Sequence, residues 1–407
     1  MRKIVVVVTI VLLITAGVLG WMVAARACHT TLTVGCGGEV NENGQGGSEL
    51  VFPAKSNLFV GGQNGTWFEV GQFPRLYQVS LSSDSFTQLD PVLSGGTVWG
   101  GGYNGSQVLV SGWGTDDHSF GPYICLYEGA SVVARGSLDD YGNATSWSGG
   151  DVFSASYNGE EWLLSGLGSG VLSSYSSHSS NHMALATFTG SKFTDLSSLV
   201  PEQQDAILYT NAWNGRYWLV GGGYMSAGVL FTFDGNTVVD LTSRIQEAVR
   251  TFASVQALAW NGEYWLIGGI GFLAKYDGRN FTDLTQQLTH SLSMSDFYAV
   301  NAIAWNGTSW LIGGGAPIAQ VTTGNAWIAS YSTGGFVNLS SSLPSYLTRE
   351  NTVSSILGIT VANGTWIMGG YSNNHGILLT YHAGRVTDYS SLVSQFTYVD
   401  WVLASST

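Results

Sequence analysis

Charged residues are scarce in this sequence. Lysine, arginine, aspartate and glutamate together make up 10% of its 407 residues, and 27 acidic residues outnumber 14 basic ones. Ordinary soluble domains carry roughly 25% charged residues. Contacts to phosphate groups need a basic surface, and the net charge here is −13, so a nucleic-acid partner is disfavoured.

Proline and cysteine are also rare, with seven and three residues. Cys28 and Cys36 are close enough in sequence to form a small disulfide loop in an oxidising compartment. Cys125 lies in the strand-like run Tyr123–Tyr127, where we expect it to be a buried, small hydrophobic side chain. No nucleophile elbow, phosphate-binding loop, Cys-x-x-Cys pair or zinc-protease helix occurs. We therefore predict no metal and no cofactor, and we favour a non-enzymatic role while leaving an enzyme open.

Glycine and aromatic residues are abundant, with 55 glycines and 15 tryptophans. This composition is typical of many short strands joined by tight turns, with aromatic side chains between the sheets. An apolar strand that ends in two small residues recurs at intervals of 45 to 56 residues. Its copies are Leu58–Gly62, Val108–Gly112, Trp162–Gly166, Trp218–Gly222, Trp265–Gly269, Trp310–Gly314 and Trp366–Gly370. Such a period, with four strands in each repeat, is typical of β-propeller blades.

The other three strands of a repeat can be placed around this one, which we call strand B. Strand A precedes it and ends in an Asn-Gly pair such as Asn261-Gly262, which predicts a two-residue type I′ turn. Strand C follows strand B and ends in a short turn such as Asp277-Gly278, and strand D completes the repeat.

One family resemblance follows from these elements. Residues 265–284 contain an apolar strand that ends in Gly-Gly, a strand that ends at Tyr276-Asp277 and a strand that begins with Phe281. In this order the sequence resembles the kelch-type (galactose oxidase/kelch-like) propellers, and the resemblance extends loosely over residues 53–407. At the last position where kelch units usually have an aromatic residue, Trp, this sequence has Phe or Val. The resemblance implies the architecture and no family-specific activity.

The ends of the repeat region predict how the ring closes. The first repeat begins at strand B, Asn57–Gly62, without a strand A in front of it. The last segment, Tyr398–Ala404, matches a strand A and has no strand B after it. We predict an all-β, seven-bladed β-propeller of four-stranded blades over residues 53–407, in which this C-terminal strand completes the first blade. Such closure removes exposed sheet edges.

The N-terminus carries an export signal. Arg2 and Lys3 precede an apolar run, residues 4–25, that is long enough to span a bilayer. The positive residues place the N-terminus inside the cell and the remainder outside. Ala25-Arg26-Ala27 has the form of a cleavage site. Residues 1–27 are therefore either a cleaved signal peptide or a retained transmembrane helix.

We predict that residues 28–52 form a Gly-rich, polar tether between that segment and the propeller. The protein is then anchored in the cell membrane or secreted. Asn-x-Ser/Thr sequences agree with a glycoprotein and do not establish one.

Loop length distinguishes the two faces of the predicted disc. The A–B and C–D turns are short, whereas the B–C and D–A connections are longer and lie together on the other face. We call these the turn face and the loop face. Function in rigid scaffolds concentrates on long loops, so we expect the working surface on the loop face.

Acidic residues recur after strand D, at Asp195, Asp240, Asp283 and Asp388. We interpret them as turn-forming or capping residues, because they occupy equivalent positions. The candidate ligand-binding residues are those that break the repeat: Trp113, Asp116, Asp117, His118, His178, His182, Tyr224, Phe272 and Tyr371.

These candidates fall into three chemical groups, each with a structural alternative. Asp116–His118 supply oxygen and imidazole ligands for a cation, or form a solvated turn. His178 and His182 have helical metal spacing, yet they lie in a Ser-rich, loop-like run. The aromatic residues stack on sugars or seat a protein partner, or they pack at the rim. His375 lies in the last B–C loop.

Three functions are open at this point. The favoured one is an exported binding or adhesion module that presents its loop face to an extracellular protein or a glycan. The second is a carbohydrate-active enzyme that uses loop carboxylates such as Asp116 and Asp139. The third is a structural subunit of a cell-envelope assembly.

Overall fold

The computed structural model describes the larger part of the repeat region. The described residues are 57–63, 75–80, 85–89, 96–115, 120–128, 131–147, 150–169, 181–201, 203, 206–224, 227–294, 299–316, 324–349, 352–394 and 396–405. The predicted N-terminal helix and tether lie outside them. In these ranges no helix is long and apolar enough to cross a bilayer.

The described residues form repeated four-stranded antiparallel sheets. The first three strands are β1 (Asn57–Gln63), β2 (Arg75–Ser80) and β3 (Ser85–Leu89). The next two repeats contain β4 (Gly96–Tyr103), β5 (Gln107–Thr115), β6 (Phe120–Glu128), β7 (Ser131–Ser137), β8 (Asp151–Tyr157), β9 (Trp162–Ser169), β10 (Asn181–Phe188) and β11 (Phe193–Asp195). These are followed by β12 (Ile207–Trp213), β13 (Trp218–Tyr224), β14 (Ala227–Phe233), β15 (Val238–Asp240), β16 (Val255–Trp260), β17 (Trp265–Gly269), β18 (Phe272–Tyr276) and β19 (Phe281–Asp283). The remaining strands are β20 (Ala299–Trp305), β21 (Trp310–Gly315), β22 (Trp327–Ser332), β23 (Gly335–Asn338), β24 (Ser354–Ala362), β25 (Thr365–Ser372), β26 (His375–His382), β27 (Arg385–Asp388) and β28 (Tyr398–Ser405).

Short helices occupy the D–A connections on the loop face. The α-helices are Thr242–Ala248, Thr285–Leu292 and Ser345–Thr348. The 3-10 helices are Leu138–Asp140, Thr145–Trp147, Ser197–Leu199, Ser340–Ser342 and Ser390–Val393.

The strands A form a closed inner ring. Each of them contacts the strand A of the next repeat, and the series returns to its start. The contacts run from β4 to β8, β12, β16, β20, β24 and β28, and from β28 back to β4. A ring of four-stranded antiparallel sheets whose first strands surround one axis is a β-propeller.

The C-terminal strand closes this ring as the sequence predicts. β28 pairs antiparallel with β1, with Leu58 opposite Ala404 and Val60 opposite Val402. The sheet order is therefore β28-β1-β2-β3, so β28 supplies the strand A that the first repeat lacks. The pairing joins the two ends of the repeat region and covers the inner edge of β1.

The Asn-Gly turns differ from the prediction. Asn261 begins a four-residue loop, in which its side-chain Oδ1 accepts the backbone N–H groups of Glu263 (2.9 Å) and Tyr264 (2.7 Å). Asn104, Asn158, Asn214 and Asn306 make the same pair of bonds. A sixth Asn-Gly pair also ends a strand A, and there both residues have the positive φ that a type I′ turn requires, at Asn363 (50°) and Gly364 (74°). In the other five, the asparagine side chain organises the loop in place of a left-handed backbone.

The small residues that end strand B allow two close approaches. A Cβ atom on Gly222 would overlap the carbonyl oxygen of Ile207 in the strand A of the same repeat. A Cβ atom on Gly221 would lie 2.5 Å from Cγ1 of Val255 in the next repeat. The hydrophobic core lies between adjacent sheets, where Val255 and the fully buried Trp265 pack against Leu219 of the preceding repeat.

Candidate functional site

Each strand A contains one extra residue at the same point, opposite the small residues of strand B. The pairing register skips Trp99, Phe153, Tyr209, Gln256, Asn301, Leu357 and Asp400. We call these residues the bulge ring. A β-bulge redirects a side chain and is frequent beside active sites, so its repetition around the axis marks a candidate site.

The bulge ring lies in the central channel, toward the loop face. In every strand A the residue before the bulge is buried, whereas the bulge residue is partly exposed. Strand B covers one edge of strand A and neighbouring repeats cover its two sides, so the exposed surface faces the axis. Tyr209 is the third residue of β12, whose first residue follows the D–A connection. The ring is therefore nearer to the loop-face mouth of the channel.

Three neighbouring aromatic residues form one side of the ring. The ring centroids of Trp99 and Phe153 are 5.2 Å apart with planes at 30°. Those of Phe153 and Tyr209 are 5.5 Å apart with planes at 75°. The Trp99 indole Nε1 donates a hydrogen bond to Asp151 Oδ1 at 3.2 Å, which fixes the indole. We call Trp99, Phe153 and Tyr209 the aromatic arc.

Tyr209 interacts electrostatically with Tyr224, one of the predicted ligand-binding residues. Its residue surface is partly exposed, but burial of the hydroxyl raises the pKa of Tyr209 well above its usual range, and the nearby Tyr224 phenol raises this pKa further. Tyr209 therefore stays protonated at physiological pH and can donate a hydrogen bond. Tyr224 is the last residue of β13, at its loop-face end, and directly follows Gly223, which pairs with Ile207 two residues before Tyr209.

Polar side chains occupy another part of the ring. The Gln256 amide Nε2 donates to Ser254 Oγ at 2.7 Å, and the Asn301 amide Nδ2 donates to Ser355 Oγ at 2.8 Å. Both serines are buried, so each amide is held in place through its nitrogen. We call Gln256 and Asn301, which are neighbours in the ring, the polar arc; Leu357 separates them from Asp400.

A buried asparagine fixes the position of the aromatic arc. Asn211 Nδ2 donates to Ser165 Oγ at 2.7 Å and to the Ser154 carbonyl at 3.2 Å. The Asn211 backbone N–H also donates to Ser154 Oγ. Ser154 directly follows Phe153, and Asn211 lies two residues after Tyr209, so these bonds hold two bulges of adjacent repeats in register. This supports a preformed site on rigid strands.

A separate cavity of about 530 Å³ opens on the loop face beside the last repeat. Tyr346 and Arg349 line one side, and His375 and Asp388 are among the residues on the other. The Tyr346 hydroxyl donates to Asp388 Oδ2 at 2.7 Å and lies 3.3 Å from Ser390 Oγ. Burial raises the pKa of the Tyr346 phenol, and the bond to Asp388 raises it further. The hydrogen bond between Tyr346 and Asp388 joins two repeats, so it stabilises the contact between them.

The predicted aromatic candidates occupy different environments. Trp113 is partly exposed in β5 and pairs with Thr97, toward the loop face. Phe272 is fully buried and contacts Phe252, with ring centroids 5.4 Å apart. Tyr371 is buried against Tyr398, at 4.7 Å. The last two contribute to the core beneath the loop face, and their role in ligand binding stays a prediction.

The predicted polar candidates are mostly not described. Asp116, Asp117, His118 and His178 lie outside the described residues. His182 is described in β10, where its Nε2 lies 2.7 Å from the Ser146 carbonyl oxygen. No group of three or more His, Cys, Asp or Glu side chains that would hold a metal occurs in the described ranges.

The recurring aspartates are structural, as predicted. The Oδ1 atoms of Asp195, Asp240, Asp283 and Asp388 accept the backbone N–H two residues later at 2.8 to 2.9 Å. The residue that donates is Ser or Thr, and its hydroxyl accepts a backbone N–H of strand C; Thr285 Oγ1, for example, accepts from Leu273 at 3.1 Å. Each such clamp fixes the end of strand D to strand C.

Sequence reasoning directed at loops did not find the bulge ring. A signal was present, because the bulge residue lies five positions before the asparagine of the Asn-Gly pair in five repeats. The chemistry varies at this position, from Trp99 to Asn301, while the neighbouring positions stay small or apolar.

The closed ring of four-stranded sheets defines the class of this protein as a β-propeller. No family model matches the chain, and no curated protein matches it significantly. Among solved structures, the chain is similar to the β-propeller domain of the Trilobed protease from Pyrococcus furiosus, with 10% identity, 78% of this chain and 89% of that one covered, and a TM-score of 0.43. It is also similar to a protein from Lactobacillus plantarum, with 10% identity, coverage of 86% and 99%, and a TM-score of 0.48. For the acylaminoacyl peptidase of Pyrococcus horikoshii the values are 10% identity, coverage of 79% of this chain and 51% of the peptidase, and a TM-score of 0.43.

Proposed function

We propose that this protein is an extracytoplasmic binding or adhesion module, whose loop face presents the bulge ring to a protein or glycan ligand. The observation that carries the proposal is the repeated bulge, which places aromatic and amide side chains around one channel mouth. Binding sites typically combine an apolar, aromatic lining with a few fixed polar groups. The aromatic arc and the polar arc have this composition.

The proposed ring has seven blades of kelch-like architecture. The closed series of inner strands and the pairing of β28 with β1 support the blade number. The Gly-Gly ends of strand B support the kelch-like resemblance. Neither property specifies a ligand, because one propeller fold hosts many functions.

Export is a separate part of the proposal. The basic residues Arg2 and Lys3 followed by the apolar residues 4–25 support a membrane anchor or a cleaved signal peptide. The propeller is then located outside the cell, on the membrane or secreted, as a glycoprotein where its acceptor sequences are modified. Protease treatment of intact cells, followed by detection of the propeller, tests its location.

Binding through the loop face is tested with the purified full chain on arrays of extracellular proteins and glycans. We expect a ligand whose binding is weakened by Trp99→Ala, in the half of β4 that is nearer to the loop face. Tyr103→Ala serves as a matched aromatic control, because Tyr103 ends the same strand at the turn face. Binding that is weakened by Tyr103→Ala but not by Trp99→Ala would place the ligand on the other face and refute the proposal.

A further inference from the structure

We propose that the bulge ring binds the terminal sugar of a neutral glycan, which enters the channel end-on from the loop face. This inference rests on the proposed function of the loop face as a binding surface. It adds the chemical class of the ligand, the residues that select it and the direction from which it enters.

The aromatic arc matches the apolar faces of a sugar ring. The rings of Trp99 and Phe153 stack on one another with a tilt of 30°, and the ring of Tyr209 meets that of Phe153 edge to face at 75°. A pyranose has C–H-rich faces that pack against aromatic rings, and an adjoining edge of hydroxyl groups. An outer face of this stacked pair suits a face of the sugar, and the ring of Tyr209, set across the pair, suits its hydroxyl edge.

The polar arc matches sugar hydroxyl groups, which both donate and accept hydrogen bonds. A side-chain amide has two N–H donors and a carbonyl acceptor. Gln256 and Asn301 each use one donor to hold a buried serine, so each retains capacity to bind a hydroxyl group. Because both amides are fixed before the ligand arrives, binding costs little side-chain entropy.

The charge of the ring favours a neutral sugar. The bulge ring contains no lysine or arginine, and Asp400 is one of its members. Asp151 lies at the edge of the aromatic arc, where it accepts the Trp99 indole N–H. An acidic sugar would approach these two carboxylates with a charge of the same sign, which is unfavourable. The uncharged amides Gln256 and Asn301 suit hydroxyl groups better than they suit a cationic ligand.

The ring geometry determines how the ligand enters. The bulge residues belong to inner strands that close around the axis, so a ligand reaches them through the channel mouth and not from the side of the disc. A chain end that approaches along the axis reaches the aromatic arc and the polar arc together. We therefore expect the terminal residue of a glycan to be the recognised unit.

The test uses the purified full chain and three kinds of probe. The first is an array of oligosaccharides that differ in their terminal neutral or acidic sugar. The second is a panel of free methyl glycosides, used as competitors. The third is choline, a cation that an aromatic arc beside carboxylates would bind if the ligand were cationic. Affinities are measured for the wild type and for the Trp99→Ala, Gln256→Ala and Tyr103→Phe variants.

We expect binding to neutral termini and competition by a methyl glycoside of the same sugar. Trp99→Ala and Gln256→Ala should each weaken binding at least about tenfold, equivalent to about 1.4 kcal/mol, whereas Tyr103→Phe should leave it unchanged. Circular dichroism and thermal unfolding establish that each variant is folded. If Trp99→Ala is not folded, Trp99→Leu and Tyr209→Leu, which keep an apolar side chain without an aromatic face, take its place, and unchanged affinity in both would refute the aromatic contacts.

The other outcomes separate this inference from the proposed function. Glycan binding that is insensitive to the ring variants overturns the sugar site. Binding of choline, or of acidic termini alone, overturns the neutral-sugar assignment. Binding of a protein ligand that depends on Trp99, without any glycan binding, overturns this inference but retains the proposed function. Absence of any Trp99-dependent ligand overturns both.

Discussion

Replacement of Gly222 by alanine should destabilise the propeller more than the same replacement at its neighbour Gly221. The methyl group on Gly222 would overlap backbone atoms of Ile207 and Leu208 in β12, and backbone atoms of a paired strand cannot move aside. The methyl group on Gly221 would lie 2.5 Å from Cγ1 of Val255, a side chain that has some freedom to shift.

Overpacking a well-packed interior costs about 1 to 3 kcal/mol, and more where the obstacle is rigid. We expect a loss of about 3 kcal/mol or more for Gly222→Ala and about 1 to 2 kcal/mol for Gly221→Ala. In a large domain each kcal/mol lowers Tm by about 2 °C. The expected decreases are therefore about 6 °C and about 3 °C.

The assay is thermal unfolding followed by tryptophan fluorescence, with a double-mutant cycle as the control. Val255→Ala removes the nearest atom to the Gly221 methyl group, so Gly221→Ala should cost less in that background. No side-chain replacement relieves Gly222→Ala, since its obstacles are main-chain atoms. Equal Tm values for the two alanine variants, or a smaller decrease for Gly222→Ala, would refute this account of the Gly-Gly pair.

Three further predictions concern single side chains. Burial raises the pKa of the Cys125 thiol to about 12, so Cys125 should resist thiol reagents at pH 8 in the native protein and react on unfolding; mass spectrometry of labelled peptides identifies it. The raised pKa of Tyr346 favours its protonated form in the folded state, so this stabilisation is complete below the unfolded pKa of about 10 and is lost as pH rises through the folded value. Tyr346→Phe should cost about 1 kcal/mol at neutral pH through the lost bond to Asp388 and should reduce the alkaline loss in urea titrations. Asp283→Ala and Thr285→Val should each cost about 1 to 2 kcal/mol, measured in urea, without weakening ligand binding, because the clamp lies outside the channel.

Each of these predictions has a contradicting result. Rapid native labelling of Cys125 would show that its strand opens or is exposed. An unchanged alkaline stability profile in Tyr346→Phe would show that another group controls that loss. Ligand binding that decreases in Asp283→Ala, with stability unchanged, would assign the repeated aspartate a functional role.

Much of the fold follows from local sequence patterns. The recurrent strand B defines the repeat, because Gly-Gly ends such as Gly221-Gly222 are required wherever strands approach this closely. The unmatched strand at Tyr398–Ala404 indicated closure, since it had no strand B of its own. The repeated Asp283-type residues were interpreted correctly, because equivalent positions in a ring serve equivalent structural purposes.

The remaining features depend on contacts between distant parts of the chain. A bulge adds one residue to a strand without changing its composition, so Tyr209 looks in sequence like any strand residue. Its importance arises from Phe153 and Gln256, which reach the same channel from neighbouring repeats. For Phe272 the sequence left ligand contact and packing open, because it does not reveal that Phe252 from the preceding D–A connection packs against this ring. The Asn-Gly loops were assigned as type I′ turns, because the pair alone does not reveal that the side chain organises a longer loop.

The most direct test of the bulge ring as a ligand site is a crystal structure of the protein with the oligosaccharide that binds most tightly. We predict density for the terminal sugar in the channel mouth, with one face against the stacked pair of Trp99 and Phe153 and hydroxyl groups within hydrogen-bond distance of Gln256 and Asn301. Density for the sugar elsewhere, such as in the loop-face cavity beside Tyr346, with the channel mouth free of ligand, would contradict the assignment.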